Sequence, residues 1–234
     1  MRFHLACVGC FVGTSALLCF TVGGNVPELA ASNPGLQRLL FGSVGLPMGL
    51  MLVLMTGSPL FTGMTALVPA AVLEKKTNLG GLAKVWTSSF FGNIIGCMMV
   101  IGLASVAGMP PSPAPATVAA TKTSLPFMKV FARAIYCNTL VCTAIISFMS
   151  ANTWGSKFLA VLLPISCFVA LGLEHSIASA FMIPWGIVQG SSATLPSFFN
   201  YMIPATLGNT IGGLLLAFML SAAHGAVSKK INAS

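Results

Sequence analysis

Three histidines and three glutamates, with no aspartate, are nearly all the acid–base chemistry this chain has besides its lysines and arginines. His175 and Glu174 stand side by side in the middle of an apolar run from Phe158 to Gln189, whereas His4 and His224 lie near the ends. An ionisable group at such depth is expensive and marks a functional site by default. An imidazole there can serve as hydrogen-bond partner or proton relay. A lone buried histidine is more commonly a satisfied core residue, and only the position of His175 at an interruption of the run turns the reading toward function. Glu174, as its neighbour, cannot share a helix face with it. Glu174 is read as structural, accepting hydrogen bonds from backbone amides freed at the interruption, because a carboxylate facing an anion path repels the solute.

A second candidate is Leu60-Phe61-Thr62-Gly63, a hydroxyl flanked by two bulky apolar side chains. Thr62 could donate to an oxyanion near His175 while Leu60 and Phe61 narrow the path; equally, a threonine hydroxyl can bond back to its own helix. Cys7 and Cys10 have the spacing of a redox or metal pair, but no second pair or nearby histidine completes a site. Cys19, Cys97, Cys137, Cys142 and Cys167 sit in apolar runs as packing residues. No catalytic set, cofactor or metal site is expected, and the chain does not read as an enzyme.

What must position these groups is a membrane-spanning helical framework. Of the 234 residues, 56% are hydrophobic and 6% charged, where a soluble domain carries about a quarter charged residues. The mean hydropathy is +0.93. Apolar runs place six spans at Leu5 to Val26, Leu39 to Leu73, Val85 to Met109, Val130 to Ser150, Phe158 to Gln189 and Tyr201 to Ala223. The second and fifth are too long for a straight span of about 20 residues, so each must contain a break. The polar points Thr56-Gly57-Ser58-Pro59 and Gly172-Leu173-Glu174-His175-Ser176 supply the breaks.

These features recur at a fixed offset. Gly57 and Gly172 are 115 residues apart, and Gly92-Asn93 and Gly208-Asn209 are 116 apart. Gly-Asn-x-x-Gly by itself is a helix-packing motif, with Asn93 and Asn209 as structural residues; its recurrence reports a duplication. Two three-span units insert oppositely because three is odd, which makes an inverted repeat whose breaks converge at the midplane. One transmembrane domain over residues 1–234 is expected, with repeats at about 5–109 and 130–223 and a proline-rich linker at about 110–129.

The net charge of +8 suits anions. The cations are scattered singly between apolar runs, which argues for topology control and lipid contact rather than nucleic-acid binding. With the N-terminus inside, Arg2, Lys75, Lys76, Lys84, Lys157, Lys229 and Lys230 lie on the inner side and Arg38, Lys122, Lys129 and Arg133 on the outer. Seven against four favours both termini in the cytoplasm. The first apolar stretch could be a cleaved signal peptide, but its length and its glycines favour a retained span.

Gly57-Ser58-Pro59-Leu60-Phe61-Thr62-Gly63, Cys137-Asn138-Thr139-Leu140-Val141-Cys142, Gly172-Leu173-Glu174-His175-Ser176-Ile177-Ala178 and Pro204-Ala205-Thr206-Leu207-Gly208-Asn209, in this order, resemble signature segments of the formate/nitrite transporters. The resemblance implies an all-α, aquaporin-like protomer of six spans, assembled as a homopentamer with a pore in each protomer. By resemblance His175 is the central pore histidine, Thr62 the loop threonine facing it, Asn138 the pore-side asparagine and Lys122 the vestibule lysine. Leu46, Leu50, Leu60, Phe61 and Phe168 fall where the family places its constrictions, and Gly57 and Gly172 mark the breaks. Pro59 stands where the family usually has a carboxylate, and Met64 and Ser179 replace frequent asparagines. The amino-terminal extension usual ahead of the first span has no counterpart before Leu5, which reads as a shortened chain.

The function so implied is passive or proton-coupled transport of small monovalent anions and their conjugate acids, such as formate or nitrite. A neutral-solute channel of similar architecture would carry two Asn-Pro-Ala motifs, and there are none. A haem-binding redox subunit would need paired histidines within spans. A non-conducting membrane scaffold is the remaining alternative.

Overall fold

The computed structural model describes residues 2–109 and 112–225, with the side chains of Arg2, Phe3 and His4 left aside. Pro110 and Pro111 of the expected linker, and Lys229 and Lys230 of the charge count, lie outside the described residues. Eleven helices and no strands form the described residues. They are α1 (Arg2–Val22), α2 (Pro27–Ser32), α3 (Pro34–Val44), α4 (Leu46–Met55), α5 (Phe61–Leu73), α6 (Leu79–Val106), α7 (Pro113–Thr123), α8 (Phe127–Ser150), α9 (Trp154–Ala170), α10 (Ser176–Val188) and α11 (Leu195–His224).

Among the described residues five stretches are long and apolar enough to cross a membrane: Leu5–Val22, Pro34–Met55, Leu79–Val106, Phe127–Ser150 and Leu195–His224. The fifth expected span is instead delivered in two pieces, α9 and α10, neither long enough alone. The second is α3 and α4 followed by α5, with a bend at Gly45 and Pro47 and the full interruption at residues 56–60. Helix starts fall earlier than the apolar runs suggest because polar residues cap them. Asn33, Asn78, Thr153 and Thr194 each accept a backbone N–H of the first turn, the last two in reciprocal capping boxes.

The expected linker is largely helical. Ser112 caps α7, and Pro113 and Pro115 fall in its first turn, where a missing N–H leaves no bond unmade. A linker rich in proline is compatible with a helix where those prolines fall in its first turn. Pro115 and Ala119 are buried, so α7 is part of the packed body.

Both interruptions are built alike. Gly57 at φ +64° and Gly172 at φ +65° take the left-handed conformation that ends a helix. Ser58 N–H bonds to Val53 O and Gly57 N–H to Leu54 O; in the second half Leu173 N–H bonds to Phe168 O and Gly172 N–H to Val169 O. The chain then runs extended through Leu60 or His175 before the next helix begins.

The freed backbone is met by two buried asparagines in equivalent roles. Asn93 Oδ1 accepts Phe61 N–H at 2.9 Å, and its amide faces Leu5 O at 2.9 Å and Pro59 O at 3.3 Å. Asn209 Oδ1 accepts Ser176 N–H at 2.8 Å, and its amide donates to Ala134 O at 2.8 Å and Glu174 O at 3.0 Å. Each asparagine of a Gly-Asn-x-x-Gly motif thus ties its own helix, the break of the preceding span and the first span of its half. The glycine of the same motif lets the helices approach: a side chain on Gly96 would meet Gly9 Cα at 2.8 Å.

Replacing Asn209 or Asn93 by alanine leaves a helix-initiating N–H and two carbonyls without their partner. The expected loss is about 2–4 kcal/mol for each variant. It should appear as a thermal midpoint several degrees lower in detergent, with a larger monodisperse loss than for Asn25→Ala at an exposed site.

Candidate functional site

Two cavities meet at His175. The wider, of about 280 Å³, has Arg38, Lys122, Arg133 and Glu174 in its wall. The narrower, of about 30 Å³, is walled by apolar side chains including Val12, Leu50, Leu60, Val141 and Ile165. Leu46, Phe168, His175 and Ala178 border both. Phe168 lies nearly parallel to the imidazole, with ring centres 6.0 Å apart and planes at 21°. A cation-bearing mouth therefore narrows through an aromatic pair into an apolar throat.

His175 is fixed at both nitrogens. As the cap of α10 it accepts Ala178 N–H at Nδ1, 3.0 Å away, while Nε2 lies 3.0 Å from Thr62 Oγ1. A backbone N–H can only donate, so Nδ1 carries no hydrogen. The neutral ring therefore holds its hydrogen at Nε2 and donates it to Thr62, a tautomer assigned from the hydrogen-bond network. The Thr62 hydroxyl has no second partner among the described residues and keeps a hydrogen to give. A doubly protonated ring would have to give up the cap of α10.

Thr62 comes to the imidazole because it opens α5 just after the first break, as His175 caps α10 at the second. Its hydroxyl does not turn back on its own helix. Thr62 is wholly buried and borders neither cavity, so its contact is with the ring rather than with the wall.

Asn138, expected to face the pore, is also wholly buried and outside both cavity walls. Its Nδ2 lies 3.2 Å from Thr62 O, 2.8 Å from Thr65 Oγ1 and 2.5 Å from Asn209 O, while Oδ1 has no partner. These three acceptors belong to α5 and α11, so Asn138 joins the halves behind the Thr62 turn. The correction has a plain cause: acceptors on α5 and α11, away from the cavity walls, already take up its amide. Phe61 likewise leaves the throat, packing edge-on against Phe90 of α6 at 5.0 Å. Leu46, Leu50, Leu60 and Phe168 do line the throat.

Glu174 does not serve the backbone with its carboxylate, contrary to the sequence expectation. Asn209 and His175 already satisfy the N–H groups of Ser176 and Ala178. Its side chain, 3% exposed, instead pairs with Lys122 and accepts Tyr201 O–H at Oε2, 2.6 Å away. Arg133 Nη1 stands 3.8 Å from Oε1, and Tyr201 is hydrogen-bonded to Ser179 at 2.8 Å. Glu174 thus borders the wide cavity with its charge compensated, which removes the objection that it repels an anion.

Tyr201 and Arg133 escaped the sequence reading as site residues. Nothing in the spacing from Tyr201 to Glu174 announces their contact. Arg133 entered the reading only as one of the outer-side cations, and nothing in its spacing announces the cavity it borders. Among the described residues no cluster of His, Cys, Asp or Glu has the makings of a metal site, and the described cysteines are all free, Cys7 and Cys10 included.

Comparison with known proteins bears on all of this. A family profile described as formate/nitrite transporter matches residues 4–223. A Methanothermobacter thermautotrophicus protein named "Probable formate transporter" is 35% identical over 231 aligned positions, covering 91% of this chain and 84% of the relative. Among solved structures, an "FNT family ion channel" superposes with a TM-score of 0.87 at 28% identity, over 95% of this chain and 89% of the other. A "Pentameric formate channel with formate bound" superposes with a TM-score of 0.78 at 27% identity, over 95% of each chain. The aquaporin-like arrangement of two inverted three-span repeats with broken middle spans is the fold these channels share. With its breaks, its paired asparagines and its imidazole at their junction, this integral membrane chain belongs to the formate/nitrite transporter family.

Proposed function

We propose that the chain is a channel for small monovalent anions such as formate or nitrite, taken across the membrane largely as their conjugate acids, with one passage in each protomer of a homopentamer. The observation that carries this is the Thr62–His175 hydrogen bond at the junction of the two helix breaks, between a cationic mouth and an apolar throat. The solved formate channel of the same fold, pentameric and with formate bound, supports both substrate class and assembly. The balance of Lys and Arg supports an orientation with both termini in the cytoplasm and the wide cavity outside.

Cations at the mouth concentrate anions in a funnel with low-dielectric walls. The throat then opposes a bare charge, since an unpaired carboxylate in apolar surroundings costs at least several kcal/mol. Protonation from solvent in the wide cavity is the cheaper route. His175 stays neutral because its Nδ1 is committed to Ala178 N–H. When the acid reaches the constriction it takes the place of Thr62 as acceptor for Nε2–H, while Thr62, outside the cavity walls, holds the ring in position when no solute is bound. Lys122 holds Glu174 in place at the mouth, and Leu46, Leu50, Leu60 and Phe168 exclude water from the throat.

Formate uptake by proteoliposomes should rise as external pH falls from 7 to 5. His175→Phe, which removes both nitrogens, should cut uptake about fivefold or more at every pH, given that a lost hydrogen bond in a dry site is worth over about 1 kcal/mol; unchanged uptake by this variant would remove His175 from the mechanism. Thr62→Val should show a smaller loss of the same kind. Wild-type protein that is folded yet passes neither formate nor nitrite would favour a scaffold instead.

Native mass spectrometry of the detergent-solubilised protein should give five copies per particle. A monomer or dimer as the dominant species in mild detergent would contradict the assembly.

A further inference from the structure

We propose that Arg133, together with Arg38, forms the anion-capture subsite of the wide cavity, in place of Lys122. The inference rests on the channel reading above and names where the anion is first held. The wall of the cavity carries three cations and one carboxylate. Lys122 is the cation whose charge is already answered. It is paired with Glu174, its ammonium lies 5.7 Å from the centre of the Tyr201 ring, and its side chain is 15% exposed.

Arg133 is placed differently. Glu174 Oε2 is occupied by Lys122 and Tyr201, and only Oε1 looks toward Arg133, across 3.8 Å. That separation is beyond hydrogen-bond length. The Arg133 side chain is 35% exposed, and among the described residues it makes no hydrogen bond. Arg38 is exposed, borders the same cavity, and has no hydrogen bond or ion pair among the described residues. With Lys122 and Glu174 cancelling, the surplus charge of the mouth is two guanidinium groups.

Each guanidinium presents N–H donors in a planar fork that matches two oxygens carried on one atom. The ligand class is therefore the small planar oxyanion, a carboxylate or nitrite, in preference to a spherical halide, which cannot use the fork. Arg133 also stands on α8, the helix that carries Val141 in the throat, so capture there lies on the way to the constriction.

The test is formate uptake by proteoliposomes of wild type, Arg133→Gln, Arg38→Gln and the double variant, over a range of formate and ionic strength. The double variant should raise the half-saturating formate concentration about tenfold at low salt and flatten its salt dependence, with a greater loss of flux at low formate than at saturation. Arg133→Lys keeps the charge but not the fork. It should retain the salt dependence while losing the ability of formate to outcompete chloride. Arg38→Gln, at an exposed site, carries the measurement if changes at position 133 impair folding; formate should also raise the melting temperature of detergent-solubilised wild type and not of this variant. A conducting wild type with the same half-saturation and salt dependence in the variants overturns the subsite alone. A wild type without flux overturns the channel reading and the subsite with it.

Discussion

A helix that stops inside a membrane leaves backbone donors and acceptors where no water can reach them, and the rest of this structure is organised around answering that demand. The two breaks are tolerable because Asn93 and Asn209 reach across from the third span of each half and meet the exposed groups. Gly57 and Gly172 turn the chain within a single residue. Asn138 then binds the first turn of α5 to α11. Without these amides each break would leave backbone groups unpaired in apolar surroundings, at a cost of several kcal/mol each. With them, the two extended strands of backbone bring Leu60, Thr62 and His175 to one point.

The same economy governs charge. Among the described residues a single carboxylate stands at the mouth, held by an ammonium and a phenol with a guanidinium further off. A buried ion pair is weak evidence of stability, since desolvation offsets much of its attraction. Its use here is to fix where the compensated charge lies and so where the uncompensated charge remains. Ser179 fits this arrangement, because its hydroxyl meets Tyr201 and so supports the hold on Glu174.

Much of the architecture was legible because its constraints are local and periodic. The excess length of the second and fifth runs required breaks, and the matching offsets of Gly57 with Gly172 and Asn93 with Asn209 exposed the duplication. The meeting of Thr62 and His175 followed from placing both at those breaks. What escaped depends on which of several partners wins a polar atom. Asn138 has an amide that suits a pore wall as well as a backbone tether, and only the proximity of Thr62 O and Asn209 O decides for the tether. Phe61 and Phe168 are alike in type, yet one turns to Phe90 and the other to the imidazole. The helix α7 hid behind prolines that, read by position in the turn, favour its start.

The duplication is imperfect in one telling place: the position His175 occupies in the second half belongs to Leu60 in the first, 115 residues earlier. In the proposed channel the two sides of the constriction are thus geometric twins with opposite chemistry. A permeant arriving from the mouth meets charge, then imidazole, then hydrocarbon; one travelling the other way meets them in reverse. A lopsided energy profile of this kind cannot pump, because no work enters, and it leaves the reversal point of the flux untouched. It does let the two faces saturate at different concentrations, so one side of the membrane can run at its ceiling while the other still responds in proportion to supply.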